Sequence, residues 1–270
     1  MEVRVNGATE RLQPARPEHL TDSTNYRFTS MRLGQFKALT FDVYGTLIDW
    51  ETGMVEGLRP LTDKIERNLT RNEILEAHAY YESSIQRQTS AKVYPELLAV
   101  VYKRLAEEWA VPASWDECLS YGRSVEHWPA FPDSADALVY LKDHFKLVVL
   151  SNVDNGSLTH SNKKLGVTFD AAYTAEDFGS YKPSQRNFEY MIEHLARLGI
   201  AKHEILHTAE SMFHDHGPAN KFGLANCWIY RRHDKEGFGA TMHPGKIPHC
   251  DFVFNNMADM VEAHKAETNV

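Results

Sequence analysis

The chain has 270 residues, 43% of them hydrophobic and 24% charged, and its 29 Lys+Arg against 37 Asp+Glu leave a net charge of −8. This is the composition of an ordinary globular protein, with apolar residues enough for one large domain or for a core domain carrying a smaller insertion. An acidic surface with no long basic block argues against nucleic acid or an anionic membrane as the partner, and no apolar run is long enough to span a bilayer.

In chain order, residues 1–35 show no clear periodicity and are expected to form a polar N-terminal extension without an apolar leader. A short apolar run, Phe36–Phe41, then stops at Asp42-Val43-Tyr44-Gly45-Thr46. Apolar strand, acidic residue and Gly-containing turn is how an α/β protein delivers a side chain to the carboxyl edge of a parallel sheet. From Gly53 to about Trp128 the pattern is helical: Ile74, Leu75, Ala77, His78 and Tyr81 recur at helical spacing, as do Leu97, Leu98, Val101, Leu105 and Trp109. Pro112, Gly122 and Pro129 punctuate this stretch, which reads as a helical insertion over 53–129.

Past Phe131 the rhythm alternates. A helix around Ala135–Leu141 leads to a strand at Lys146–Asn152, a helix near Leu158–Leu165, a strand at Ala171–Thr174 and a helix from Gln185 to Leu198. Strands are expected again at Glu204–Thr208, Asn226–Tyr230 and Asp251–Phe254. The fold class is therefore α/β, a doubly wound and mainly parallel sheet built from 36–52 and 130–270, with the helical segment inserted after the first strand. Cys118, Cys227 and Cys250 lie far apart in no metal-ligand spacing, so the expected setting is a reducing, cytoplasmic one. The extension is a candidate for oligomer contacts, which leaves a homodimer open.

The polar residues that fall just past the strands are Asp42, Thr46, Ser151, Asn152, Lys182, Glu210, Ser211 and Asp215. In an open parallel sheet such side chains converge on one crevice. Any one of them has a plainer reading: Asp42, Ser151 and Asn152 as helix or turn caps, Thr46 as a turn former, Lys182 as a surface lysine and Tyr44 as packing.

Phe41-Asp42-Val43-Tyr44-Gly45-Thr46-Leu47-Ile48-Asp49 resembles the first motif of the haloacid dehalogenase-like (HAD) hydrolases, and Leu150-Ser151-Asn152 the second. Tyr181-Lys182-Pro183 resembles the third, Ala209–Asp215 falls where the fourth belongs, and the helical insertion matches the family's cap. Phosphatases of the family carry a second Asp two residues after the nucleophile. Tyr44 stands there, as in the (S)-2-haloacid dehalogenase branch, which needs no metal.

That resemblance implies a small anionic substrate, no cofactor, and displacement of halide from a 2-haloacid by Asp42 through a covalent ester that water then hydrolyses. Lys182 would lower the Asp42 pKa, Thr46 would donate to the carboxylate, Ser151 would hold the substrate carboxylate and Asn152 would sit near the halide. Asp215 would orient or deprotonate water, with Glu210 and Ser211 beside it. Arg87, or else Gln86, would cradle the halide from the cap, and Tyr44 and Phe188 would complete the pocket; Phe188 takes the place of a family tyrosine. Trp50, Tyr94 and Trp128 are candidates for an apolar lining.

The alternatives are a Mg²⁺-dependent phosphatase, with the metal held by Asp42, the carbonyl of Tyr44, Glu210 and Asp215, and a catalytically silent binding protein. A zinc role for His207, His214 and His216 is a weaker reading, because two residues apart suits a strand better than a loop.

Overall fold

The computed structural model of the protein describes residues 31–268. Most of the expected extension, residues 1–30, lies outside them. Its last part does not trail free of the body: Leu33–Gln35 form a 3₁₀ turn, and the amides of Leu33 and Gly34 each donate to the Glu267 carboxylate at 2.9 Å.

The strands are β1 (Ala38–Phe41), β2 (Lys146–Ser151), β3 (Ala171–Thr174), β4 (Ile205–Ala209), β5 (Ala225–Ile229) and β6 (Phe252–Phe254). They form one sheet in the order β3-β2-β1-β4-β5-β6, and every neighbouring pair is parallel. β1 lies between β2 and β4, with Phe41 opposite Val149 and Thr208. All its residues are buried, as expected for a central strand covered on both faces.

The helices are α1 (Trp50–Thr62), α2 (Arg71–Gln88), α3 (Tyr94–Glu108), α4 (Trp115–Arg123), α5 (Ser134–Lys142), α6 (Asn155–Leu165), α7 (Ala175–Phe178), α8 (Gln185–Arg197), α9 (Gly217–Phe222) and α10 (Met257–Thr268). Side-chain alternation along the strands sorts them into layers. Leu39, Phe41, Leu147, Val149 and Leu206 pack with Leu138 and Leu141 of α5 and with Met257 and Met260 of α10. Ala38, Val148, Leu150 and Ile205 face the other way, onto Phe188, Met191 and Leu195 of α8 and Ala219 of α9. Each fully buried Leu, Ile, Phe or Met contributes about 1.5–3 kcal/mol, so the sheet is held from both sides.

Helices α1 to α4 are the insertion after β1. Asp49 starts α1 by accepting from the Thr52 amide at 3.2 Å and from its hydroxyl at 2.7 Å. Capping boxes start α2 (Thr70 with Glu73) and α4 (Ser114 with Glu117). The apolar positions read from the sequence, Ile74, Leu75, Leu97, Leu98, Val101 and Leu105, are the ones that bury against one another. Among the described residues no helix is long and apolar enough to cross a membrane, and Cys118, Cys227 and Cys250 are free.

Candidate active site

Asp42 extends β1 by one residue, its amide donating to the Thr208 carbonyl at 3.1 Å, and its side chain leaves the sheet at the carboxyl edge. The chain then turns sharply: Leu47 donates back to the Val43 carbonyl at 2.8 Å. Gly45 has φ +96°, and a Cβ there would lie 2.9 Å from Trp50 Nε1, so both the backbone angle and the overlying indole require glycine. The turn returns Thr46 to the Asp42 carboxylate. Its hydroxyl donates to Asp42 Oδ2 at 2.8 Å and accepts the Glu210 amide at 2.9 Å, tying the end of β4 to the carboxylate.

Lys182 is the hub. It is 1% exposed, and its ammonium donates to Asp42 Oδ1 at 2.8 Å, to Asp215 Oδ1 at 2.7 Å and to the Leu150 carbonyl at 2.9 Å. An ammonium has three N–H groups, so these bonds use all of them. Asp215 Oδ1 also meets His207 Nε2 at 3.0 Å, while His207 Nδ1 meets the Thr40 hydroxyl at 2.8 Å. With Thr40 donating to Nδ1, the Nε2–H donates to Asp215. This chain of bonds locks Asp215 from the side away from Asp42.

Two buried carboxylates thus share one ammonium. Burial, together with the negative charge of Asp215, raises the pKa of Asp42 against the pull of Lys182. Asp215 is lowered, because Lys182 and His207 together overcome the cost of its burial. Lys182 thus lowers Asp42 as expected, but burial outweighs it, and the carboxylate that ends below its ordinary value is Asp215. His214 is pushed down to about 4 by burial and is neutral at neutral pH.

A narrow cleft with a free volume of about 20 Å³ lies over this group, lined by Asp42, Tyr44, Trp50, Glu82, Gln86, Tyr94, Ser151, Asn152, Lys182, Ser211, His214 and Asp215. Ser151 Oγ is buried there without a hydrogen-bond partner, as are Asp215 Oδ2 and His214 Nε2. Asn152 is committed to the Lys182 backbone, accepting its amide at 2.6 Å and donating to its carbonyl at 3.0 Å. Its side chain anchors the lysine while its surface faces the cleft. Ser211 caps the single π turn at Met212–His216 by accepting the His214 amide at 3.0 Å.

Tyr44 is buried, its ring edge-on to Trp128, and its hydroxyl is paired with Ser161 Oγ at 2.7 Å. Burial raises the phenol far above its ordinary value.

Three sequence expectations need correction. Arg87 is exposed and donates to Ser83 Oγ at 2.8 Å; it is outside the cleft, and Gln86 next to it faces in. The helical rotation of about 100° per residue separates the two. Phe188 is wholly buried below the sheet, edge-on to His207 and stacked on Phe222, so it supports the Asp215 partner and touches no cleft. Glu210 lends the site its backbone amide, while its carboxyl lies outside the cleft lining and is pushed up to about 8, mainly by burial and then by the charge of Glu51.

A Mg²⁺ site would need Glu210 beside Asp42 and Asp215. The donor set does not fit: the two aspartates converge on an ammonium, and the Glu210 carboxyl is not among the groups that line the cleft with them. Among the described residues no group of three or more His, Cys, Asp and Glu side chains is arranged to hold a metal ion. The histidines have other partners, His207 as above and His216 on the Ala209 carbonyl at 2.9 Å and Asn226 at 3.1 Å.

Sequence reasoning did not single out Glu82. It stands four residues before Gln86 on α2, and its Oε1 accepts from Gln86 Nε2 at 3.1 Å. The i,i+4 spacing of His78, Glu82 and Gln86 along the buried side of α2 was the available signal. His207 was noticed for its residue type, but its bond to Asp215 depends on strand register and could not be read in advance.

A model of haloacid dehalogenase-like hydrolases matches residues 36–208, and the chain belongs to that family. Among curated proteins it is 24% identical over 216 residues to (S)-2-haloacid dehalogenase 4A of Burkholderia cepacia, covering 73% of this chain and 84% of the relative. Among solved structures, the L-2-haloacid dehalogenase of Xanthobacter autotrophicus with chloropropionic acid covalently bound superposes with a TM-score of 0.67 at 17% identity, over 85% of this chain and 98% of that one. YfnB of Bacillus subtilis, a HAD-type protein solved with magnesium, gives 0.66 at 19% identity, over 85% and 99%. At these identities the structural likeness carries the fold alone.

Proposed function

We propose that this protein is a hydrolytic dehalogenase that converts small 2-haloacids to 2-hydroxy acids through an ester on Asp42. The observation that carries the reading is the pairing of a carboxylate held at both oxygens with a phenol, Tyr44, two residues later. Asp42 is suited to act as nucleophile, and the side chain two residues later, where a phosphatase would carry its acid, is a phenol tied to Ser161. A halide leaves as a stable anion and needs no proton, whereas an alkoxide leaving from phosphate does. The covalently bound chloropropionic acid in the Xanthobacter autotrophicus relative supports the same chemistry.

In this reading an Asp42 oxygen attacks C2 from behind the carbon–halogen bond, the C–O bond forms and the halide departs with its electron pair. Ser151 Oγ, free of protein partners, donates to the substrate carboxylate. Gln86 and Asn152 supply N–H groups on the halide side. Water bound to the open Asp215 Oδ2 attacks the Asp42 carbonyl, the hydroxy acid leaves, and a proton is released to solvent. Lys182 keeps both aspartates fixed and stabilises the oxyanion that develops on Asp42.

The test is an assay of purified protein with (S)-2-chloropropionate and with an aryl phosphate, each with Mg²⁺ and with EDTA. Chloride release unaffected by EDTA is expected, with one ¹⁸O entering Asp42 during a single turnover in H₂¹⁸O. Phosphate release that depends on Mg²⁺ would overturn the proposal. Asp42→Ala is expected to remove chloride release altogether.

A further inference from the structure

We infer that Glu82 makes this cleft selective for 2-haloacids whose side chain ends in a hydrogen-bond donor, an ammonium or a hydroxyl group. The inference rests on the dehalogenase reading and names its substrate class.

The cleft has two unlike walls. On the sheet side are Asp42, the unpartnered Ser151 hydroxyl (1% exposed) and Asn152. On the helical side, α2 presents Glu82 and Gln86, and α3 presents Tyr94. The sheet wall supplies donors that suit the acid end of a substrate. The helical wall is dominated by a carboxylate, which is an acceptor only.

Glu82 lacks a hydrogen-bonded counter-charge. It is 5% exposed, and its hydrogen-bond donors are neutral: the Gln86 amide N–H at Oε1 and the Tyr94 hydroxyl. The nearest basic nitrogen, His78 Nδ1, is 3.5 Å from Oε2, and both ring nitrogens of His78 are without hydrogen-bond partners. Lys182 cannot serve, since its three N–H groups are used by Asp42, Asp215 and Leu150. His214 is neutral. Three carboxylates and one saturated ammonium therefore line the space that a substrate enters. A simple haloacid such as 2-chloropropionate would put a methyl group against Glu82 and leave it with neutral hydrogen-bond donors alone, a poorer setting for a buried carboxylate than a paired charge. A substrate carrying an ammonium or hydroxyl on C3 would satisfy it.

The experiment compares chloride release from 2-chloropropionate, 2-chloro-3-hydroxypropionate and 3-amino-2-chloropropionate, in the wild type, Glu82→Gln and Glu82→Leu, with thermal melts of each. We expect the two donor-bearing substrates to exceed 2-chloropropionate in kcat/KM by about tenfold or more, the scale of one hydrogen bond to a charged acceptor. Glu82→Gln should lose the preference for the amine and keep that for the hydroxyl, because an amide oxygen still accepts but carries no charge. Glu82→Leu should lose both. Equal rates on all three substrates in the wild type, or preferences unchanged in both variants, overturn the inference while leaving dehalogenation intact. If no substrate releases chloride, the dehalogenase reading fails, and calorimetric binding of the products decides the specificity separately. Isoserine binding about tenfold tighter than lactate, and losing that advantage in Glu82→Gln, upholds it; equal affinities overturn it.

Discussion

At the scale of single residues, Asp42 and Asp215 compete for Lys182, and the pH dependence follows from the outcome. In the proposed reaction Asp42 must be ionised to attack, and its pKa is raised by burial and by Asp215. Activity should therefore be absent at low pH and appear as pH rises through a value above the ordinary aspartate range of about 4. Replacing Asp215 with Asn removes the repelling charge and leaves Lys182 to Asp42, so the acid limb of kcat/KM should move to lower pH even as the rate falls. A limb that stays in place in Asp215→Asn would show that the two carboxylates are not coupled. The neighbours Gln86 and Arg87 give a second contrast. Gln86→Leu should lower kcat/KM by about tenfold, the loss of one hydrogen bond of about 1 kcal/mol or slightly more. Arg87→Ala, on the exposed side of α2, should stay within about twofold.

At the scale of elements, the connection from β5 to β6 binds the inserted helices to the sheet. Arg232 in that connection donates to both oxygens of Glu51 on α1 at 2.6 Å, and to Asn72 on α2 at 3.3 Å. Arg232 is 4% and Glu51 6% exposed. Gly239 has φ +58°, and a Cβ there would fall 1.9 Å from Glu51 Oε1, so glycine is needed for the loop to close over the pair. Beside it, Arg231 clamps Asp133 at 2.8 and 2.9 Å and the Thr46 carbonyl at 3.0 Å, which braces the turn that follows Asp42. Arg232→Met strands a buried carboxylate, and about 3–5 kcal/mol of stability should be lost. The double variant Arg232→Met with Glu51→Gln should recover part of that loss, as read by urea unfolding. A double variant no more stable than the single one would mean that the loop is held by something other than this pair.

At the scale of the whole molecule, Glu210 links folding to pH. Its pKa stands at about 8 in the folded chain, against 4.5 ordinarily. The folded state thus holds a proton that the unfolded state has lost, and stability falls as pH rises between those values. Glu210→Gln mimics the protonated acid. Its melting temperature should match the wild type near pH 4 and exceed it increasingly toward pH 8, by about 2–4 °C for each kcal/mol gained in a chain of this size. A difference that does not change with pH would mean that Glu210 is ionised in the fold.

Much of this architecture was legible beforehand because it is written in local pattern. Short apolar runs ending in polar residues marked β1, β2, β4 and β5 to within two residues, and 3.6-residue periodicity marked α2 and α3. Asp42, Thr46, Ser151, Asn152, Lys182, Ser211 and Asp215 converge because parallel strands deliver successive side chains to one edge, a consequence of topology that the strand order alone predicts. The chain by itself could not decide which face of α2 looks into the cleft, so Arg87 and Gln86 were told apart only by the packing of the inserted helices. Nor could it decide electrostatics that depend on burial. The upward shifts of Asp42 and Glu210 arise from desolvation and from neighbours distant in sequence, and the place of Glu82 in the cleft lining arises from the packing of α2, all of which exist only once the tertiary structure has formed.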